Sequence, residues 1–171
     1  MKLIDLLQAE AIALDIPAAD KTGVFDAAAQ RLGVITGREA SVIRAALTAR
    51  ERMGPTTIHK GIAIPHARLD GLDAPAAIFL RLARAVDFDA PDGHPVDLVF
   101  AALWPADAHG YSLIGLAELC RLLREPSLAY WLRAAETPRE ALMLVSLAAG
   151  LATSRHARKH ERLRRLQRVP S

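Results

Sequence analysis

The sequence predicts an α/β (α+β) fold, a single domain in which a small β-sheet carries helices packed on it. Three observations predict this. The 171 residues are 51% hydrophobic and 24% charged, the balance of one folded domain with a core of its own. Apolar residues recur at helical spacing over residues 20–54 and again after Pro105. Between these stretches the period shortens to that of strands, and Val96–Trp104 is a nearly continuous run of apolar strand formers.

In chain order, Lys2–Ala18 opens with an apolar run and breaks at Pro17. Asp20 is placed to cap a helix carrying Val24, Phe25, Ala28 and Leu32 on one face and ending at Gly33. Thr36-Gly37-Arg38-Glu39 reads as a capping box. It opens a helix with Val42, Ile43, Ala46 and Leu47 inward, which stops at Gly54-Pro55. Gly61–Ile64 is a short apolar strand closed by Pro65, with His66 at its end. Ala76–Val86 is a partly alternating strand, with Ile78, Leu80 and Leu82 facing one way and Arg81 the other. Asp87–Pro95, holding Pro91, Gly93 and Pro95, is a loop into the buried central strand Val96–Trp104. Leu113, Leu116, Ala117, Cys120, Leu123 and Arg124 belong to a helix ended by Pro126, and Ser127–Ala135 forms a second, short one. Thr137-Pro138-Arg139-Glu140 is another capping box, with proline at the favoured first position, and opens a helix through Leu151.

Composition excludes several classes. A single cysteine, Cys120, leaves no disulfide framework and no cysteine-built zinc site within one chain, and points to a reducing compartment. The longest apolar stretch, Ala141–Ala152, has 12 residues, against the roughly 20 of a spanning helix. With no secretory signal in Met1-Lys2-Leu3-Ile4-Asp5, a cytoplasmic protein without membrane insertion is expected. The net charge of +3 is uneven. Residues 155–171 hold seven Lys/Arg against one acid, so this tail carries +6 and residues 1–154 carry −3. The expected organisation is therefore a folded domain over 1–154 and a basic, solvated tail over 155–171. The tail has no aromatic residue to stack on bases, so no nucleic-acid partner is expected.

Six histidines are present, but no HExxH. His156 and His160 are four apart, yet the basic residues around them repel a cation, so they read as part of a solvated helix. Glycine-rich nucleotide signatures and a GxSxG elbow are absent, and neither metal nor cofactor is expected. Cys120 lies on an apolar helix face as a small hydrophobe. His66 stands apart. It follows a proline that removes a backbone donor and fixes the chain, which holds the imidazole on rigid backbone. With one ring nitrogen tied to a carbonyl, the other is an unprotonated nucleophile. On spacing alone, a lone histidine after a strand is a loop or capping residue more often than a catalytic one.

The run Gly61-Ile62-Ala63-Ile64-Pro65-His66-Ala67-Arg68 resembles the active-site signature of the fructose/mannitol-type enzyme IIA proteins of the phosphoenolpyruvate-dependent phosphotransferase system. The nitrogen-regulatory IIA proteins belong to that family. The likeness extends to Ala49-Arg50-Glu51-Arg52-Met53-Gly54-Pro55-Thr56, to Pro95–Phe100 and to Leu119–Arg124, and covers residues 1–150. It implies a mixed β-sheet sandwiched between helices and a phosphoryl-carrying function. His66 then corresponds to the residue that accepts a phosphoryl group from the histidine-containing phosphocarrier protein. Arg50 corresponds to the arginine that steadies it, and regulatory target proteins are the further partners. A sugar-permease IIA and a non-phosphorylated binding protein are the alternatives. Arg68, close to the histidine, is read as pointing away along the extended chain. Two departures stand out. Ser112 occupies the place of the family's second histidine, with His109 as the rival for that role, and Pro55 replaces the family's serine.

Overall fold

The computed structural model describes residues 6–108 and 111–166. The side chains of residues 111, 112 and 153–166 lie outside the description. Six strands form one mixed sheet, β1 (Ile12–Ile16), β2 (Thr57–His59), β3 (Ile62–Ala63), β4 (His66–Leu69), β5 (Ala76–Val86) and β6 (Val96–Pro105). Five helices accompany them, α1 (Lys21–Thr36), α2 (Ala40–Arg52), α3 (Tyr111–Leu123), α4 (Pro126–Ala134) and α5 (Pro138–Leu166).

The strand order is β1-β5-β6-β3-β2, with β4 also paired to β6. β5 runs antiparallel to β6, whereas β1 is parallel to β5, and β3 and β4 are parallel to β6. The long central strand is buried on both faces, since every residue from Leu98 to Trp104 is at most 3% exposed. That is the signature of a sheet covered on both sides. Helices α1 and α2 pack together and reach β5 and β4; α4 and α5 pack together and reach β6 and β1. The mixed sheet sandwiched between helices is therefore the observed architecture.

Several local expectations are corrected. The apolar run before Pro17 contains β1, whose partner β5 lies far along the chain and leaves no trace in local pattern. Asp20 does cap α1, accepting from Gly23 N–H at 2.8 Å. The helix runs past Gly33, however, and ends at Gly37, which has a left-handed φ of 68°. Gly33 is needed for another reason. A Cβ there would meet the Arg38 carbonyl at 2.9 Å. Thr36 is consequently the last residue of α1, its hydroxyl donating to the Leu32 carbonyl at 2.7 Å, and not a capping-box residue. Glu39 precedes α2 with no side-chain cap. Ile43 and Leu47 face the core as expected, but Val42 is half-exposed. Pro126 opens α4 as well as following α3. The second capping box holds, since Thr137 Oγ1 accepts from Glu140 N–H at 3.1 Å and Glu140 accepts from Glu136 N–H at 2.8 Å. Its helix, α5, continues to Leu166 instead of stopping at Leu151.

The segment leading to His66 is built on a tight hairpin. β2 and β3 are antiparallel and joined by Lys60-Gly61, both at positive φ (47° and 82°). Gly61 also has no room for a side chain, because a Cβ would lie 2.9 Å from the Pro95 carbonyl. β3 and β4 then run beside β6 in one register, Ile62 opposite Leu98 and His66 opposite Ala102. Ile64-Pro65 interrupts them. His66 therefore begins a strand and does not end one.

Candidate active site

His66 is half-buried at the first position of β4, and each of its ring nitrogens has a partner. Nδ1 lies 2.8 Å from the Ile64 carbonyl. Arg50, in the last turn of α2, donates from Nε to His66 Nε2 at 3.1 Å. A guanidinium only donates, so Nε2 is the lone-pair nitrogen and Nδ1 carries the proton given to Ile64. Both contacts select the same neutral tautomer. Pro65 makes the first possible. Residues two apart on an extended chain share a side, so the ring reaches back over the proline to the Ile64 carbonyl. Ile64 N–H is meanwhile used elsewhere, donating to the Thr56 carbonyl at 2.9 Å.

His66 is held below the ordinary imidazole range. Burial is the main cause. The Ile64 carbonyl pushes the other way, Arg50 pushes down and Glu51 pushes up. The edge of the site is closed by Trp104, 3% exposed, whose ring stands edge-to-face with His66 at 6.4 Å between centroids. Arg50 is anchored by its Nη1, which donates to the Gly54 carbonyl at 3.1 Å. A neutral imidazole with a bare Nε2 lone pair can attack an electrophilic phosphorus, and the fixed cation beside it can steady the oxygens that arrive.

Sequence reasoning missed the layer beneath. Glu51 is buried, with Lys21 Nζ 2.7 Å from its Oε1. Its Oε2 accepts from Thr56 N–H at 3.0 Å and from the Thr56 hydroxyl at 2.5 Å. The Arg50-Glu51 pair carries no local sign of this, since a glutamate beside an arginine at a helix end is ordinarily solvated. Neighbours on a helix point about 100° apart, so Glu51 faces inward where Arg50 faces the site, which only the packing of α1 against α2 reveals.

The other residues fall as follows. Arg68 is two positions from His66, so the strand pleat puts both on the same face. Arg68 is exposed there, and its expected divergence from the histidine is corrected. Ser112 falls in the first turn of α3, with its side chain outside the description, and His109 lies outside the described residues. The side chains of His156 and His160 are likewise not described. Pro55 sits exposed between Gly54 and the clamped Thr56. Cys120 is half-buried, and burial pushes its thiol up, away from nucleophilic use. Among the described residues no group of three His, Cys, Asp or Glu side chains is placed to hold a metal ion. No helix among them is long and apolar enough to cross a membrane.

A strand-borne histidine under an arginine, at the rim of a helix-covered mixed sheet, defines a class that the comparisons identify. Residues 5–147 match the family described as "Phosphoenolpyruvate-dependent sugar phosphotransferase system, EIIA 2". The chain belongs to this family of phosphotransferase-system components. Among its relatives is a nitrogen regulatory protein of Bradyrhizobium diazoefficiens, 36% identical over 149 residues, covering 87% of this chain and 95% of the relative. A fructose-specific EIIA component of Haloferax volcanii is 37% identical over 117 residues, covering 67% and 75%. The crystal structure of the nitrogen regulatory protein IIA-Ntr from Neisseria meningitidis superposes with a TM-score of 0.79 at 31% identity, covering 83% of this chain and 97% of that one.

Proposed function

We propose that this chain is a phosphoryl carrier with a regulatory role, and that His66 Nε2 accepts the phosphoryl group from a histidine-containing phosphocarrier protein. One observation supports the reading above all. The two contacts of His66 agree on a neutral ring whose Nε2 lone pair faces a cation. In the transfer, that lone pair forms a bond to phosphorus while the donor's phosphorus–nitrogen bond breaks and its electron pair returns to the donor imidazole. The Nδ1 proton stays on His66, where the Ile64 carbonyl offsets the positive charge that develops on the ring. Arg50 exchanges its contact with Nε2 for one with a phosphoryl oxygen, and Arg68, on the same face, adds a second cation near the arriving charge. The protein's work is positioning and electrostatics, as phosphoryl transfer requires.

The regulatory branch is favoured by the resemblance to nitrogen regulatory proteins over nearly their whole length. A second reading, a IIA component feeding a fructose/mannitol-type permease, is favoured by the fructose-specific relative. A non-phosphorylated binding protein of the same fold is the third, motivated by Ser112 and Pro55. The chain acts in the cytoplasm in each case.

The test is reconstitution with phosphoenolpyruvate, enzyme I and the phosphocarrier. The chain gains one phosphoryl group, acid-labile and base-stable, and His66→Ala gains none. Undiminished labelling of His66→Ala removes the assignment, and an unlabelled wild-type chain favours the binding-protein reading.

A further inference from the structure

We propose that Glu51 is the positioning residue of this site. Its buried carboxylate clamps the turn after α2 in the arrangement that aims Arg50 at His66 Nε2. The inference rests on the phosphoacceptor reading of His66.

The side chain of Glu51 is 6% exposed. A carboxylate so placed is tolerated only when its oxygens are paired and hydrogen-bonded. Its partners come from separate pieces of the fold. Lys21 stands at the start of α1, and Thr56 stands just before β2. Lys21 is itself tethered, donating to the Phe88 carbonyl at 3.0 Å and lying 3.7 Å from Asp89. The ammonium therefore fixes Glu51 from a point that does not move with the turn.

The turn it clamps touches both halves of the Arg50–His66 pair. Met53 N–H and Gly54 N–H bond back to the carbonyls of Arg50 and Glu51, each at 3.1 Å. The Gly54 carbonyl receives Arg50 Nη1 and so sets the direction of Nε. Pro55 has no N–H, which makes Thr56 N–H the first backbone donor after Gly54, and Glu51 takes it together with the hydroxyl. The Thr56 carbonyl then holds Ile64 N–H, and Ile64 in turn holds His66 Nδ1. Releasing Thr56 frees the Gly54 carbonyl and the Ile64 backbone together. A misplacement of about 1 Å at a reacting pair can cost as much as ~10²-fold in rate.

A residue that only props up the fold lowers stability and slows transfer whether or not Arg50 is present. A residue acting through Arg50 loses its effect on the rate once Arg50 is gone. The experiment measures the rate of His66 phosphorylation in the reconstituted system for Glu51→Gln, for Arg50→Ala and for the double variant. Glu51→Gln slows transfer about 10- to 100-fold, and adds less than about twofold when Arg50 is already alanine. If Glu51→Gln does not fold, Thr56→Val, which keeps the shape and the N–H and removes only the hydroxyl bond, carries the same two-background comparison with a smaller slowing. An unlabelled wild-type chain overturns the phosphoacceptor reading and this inference with it. A labelled wild-type chain beside a variant that is equally fast, or equally slowed in both backgrounds, overturns this inference alone.

Discussion

Two hydrogen bonds decide the chemical state of His66, and they are different in kind. The contact with the Ile64 carbonyl fixes which nitrogen bears the proton, and the contact with Arg50 keeps the other nitrogen bare. Burial and Arg50 both act against protonation, so the imidazole remains neutral as pH falls through 6.5 and charges only below it. A lowered value means that the nucleophilic form is retained across the ordinary histidine range and lost on the acid side. An NMR titration of the ring therefore gives a midpoint below 6.5. Arg50→Ala removes one downward influence, raises that midpoint and slows phosphorylation by about 10²–10³-fold, the usual cost of a lost electrostatic donor. Arg50→Lys restores part of the rate, because a point charge cannot bond His66 and the Gly54 carbonyl at once as the planar fork does. A midpoint at or above 6.5, or an unchanged rate in Arg50→Ala, contradicts this account.

At the scale of elements, Pro65 is the device that makes a site out of a strand. β3 and β4 keep one register along β6, and the interruption between them leaves the Ile64 carbonyl to the histidine. The N-terminus of α3 is the second element in play. α3 begins at Tyr111, so Ser112 falls in its first turn, where the resemblance leads one to expect a second histidine. A hydroxyl donates one neutral hydrogen bond, and a protonated imidazole donates a charge-assisted one roughly twice as strong. Ser112→His is accordingly expected to speed phosphorylation or lengthen the phosphohistidine lifetime. The gain fades as pH rises through the new imidazole's titration. Rates and lifetimes across pH 5.5–8.5 (about one histidine range) check this. An inert Ser112→His beside a crippled His109→Ala would assign the role to His109 instead.

For the molecule as a whole, the central strand β6 is the spine to which β5, β3 and β4 are all joined. The helix α5 packs against β1, α3 and α4 through residues well before the basic tail. Ala141 and Val145 are fully buried, and Leu142, Leu144, Ala148 and Ala152 are partly so. The helix continues through the charge boundary at residue 154, but its described core contacts precede it. Deleting residues 155–171 is therefore expected to leave phosphorylation unchanged. It should shift the melting temperature by less than about 4 °C, the shift that ~1 kcal/mol makes in a chain of this size. A larger drop in a thermal melt would show that the tail packs on the domain.

Local pattern by itself determined most of the elements and singled out His66 as the candidate acceptor. Helix periodicity, the Asp20 cap, the Thr137–Glu140 box and the run Val96–Trp104 are short-range features, and short-range features are written in neighbouring residues. The resemblance around Pro65-His66 and Arg50 drew on the same kind of local information. What failed to show in the sequence depends on partners distant in the chain. β1 is a strand because β5 pairs with it, some 65 residues away. The role of Glu51 was hidden most completely, since a glutamate beside an arginine reads as a solvated helix end until α1 brings Lys21 against it. Tertiary structure alone decided that, because burial of a charge is a property of everything packed around it and not of the residues beside it.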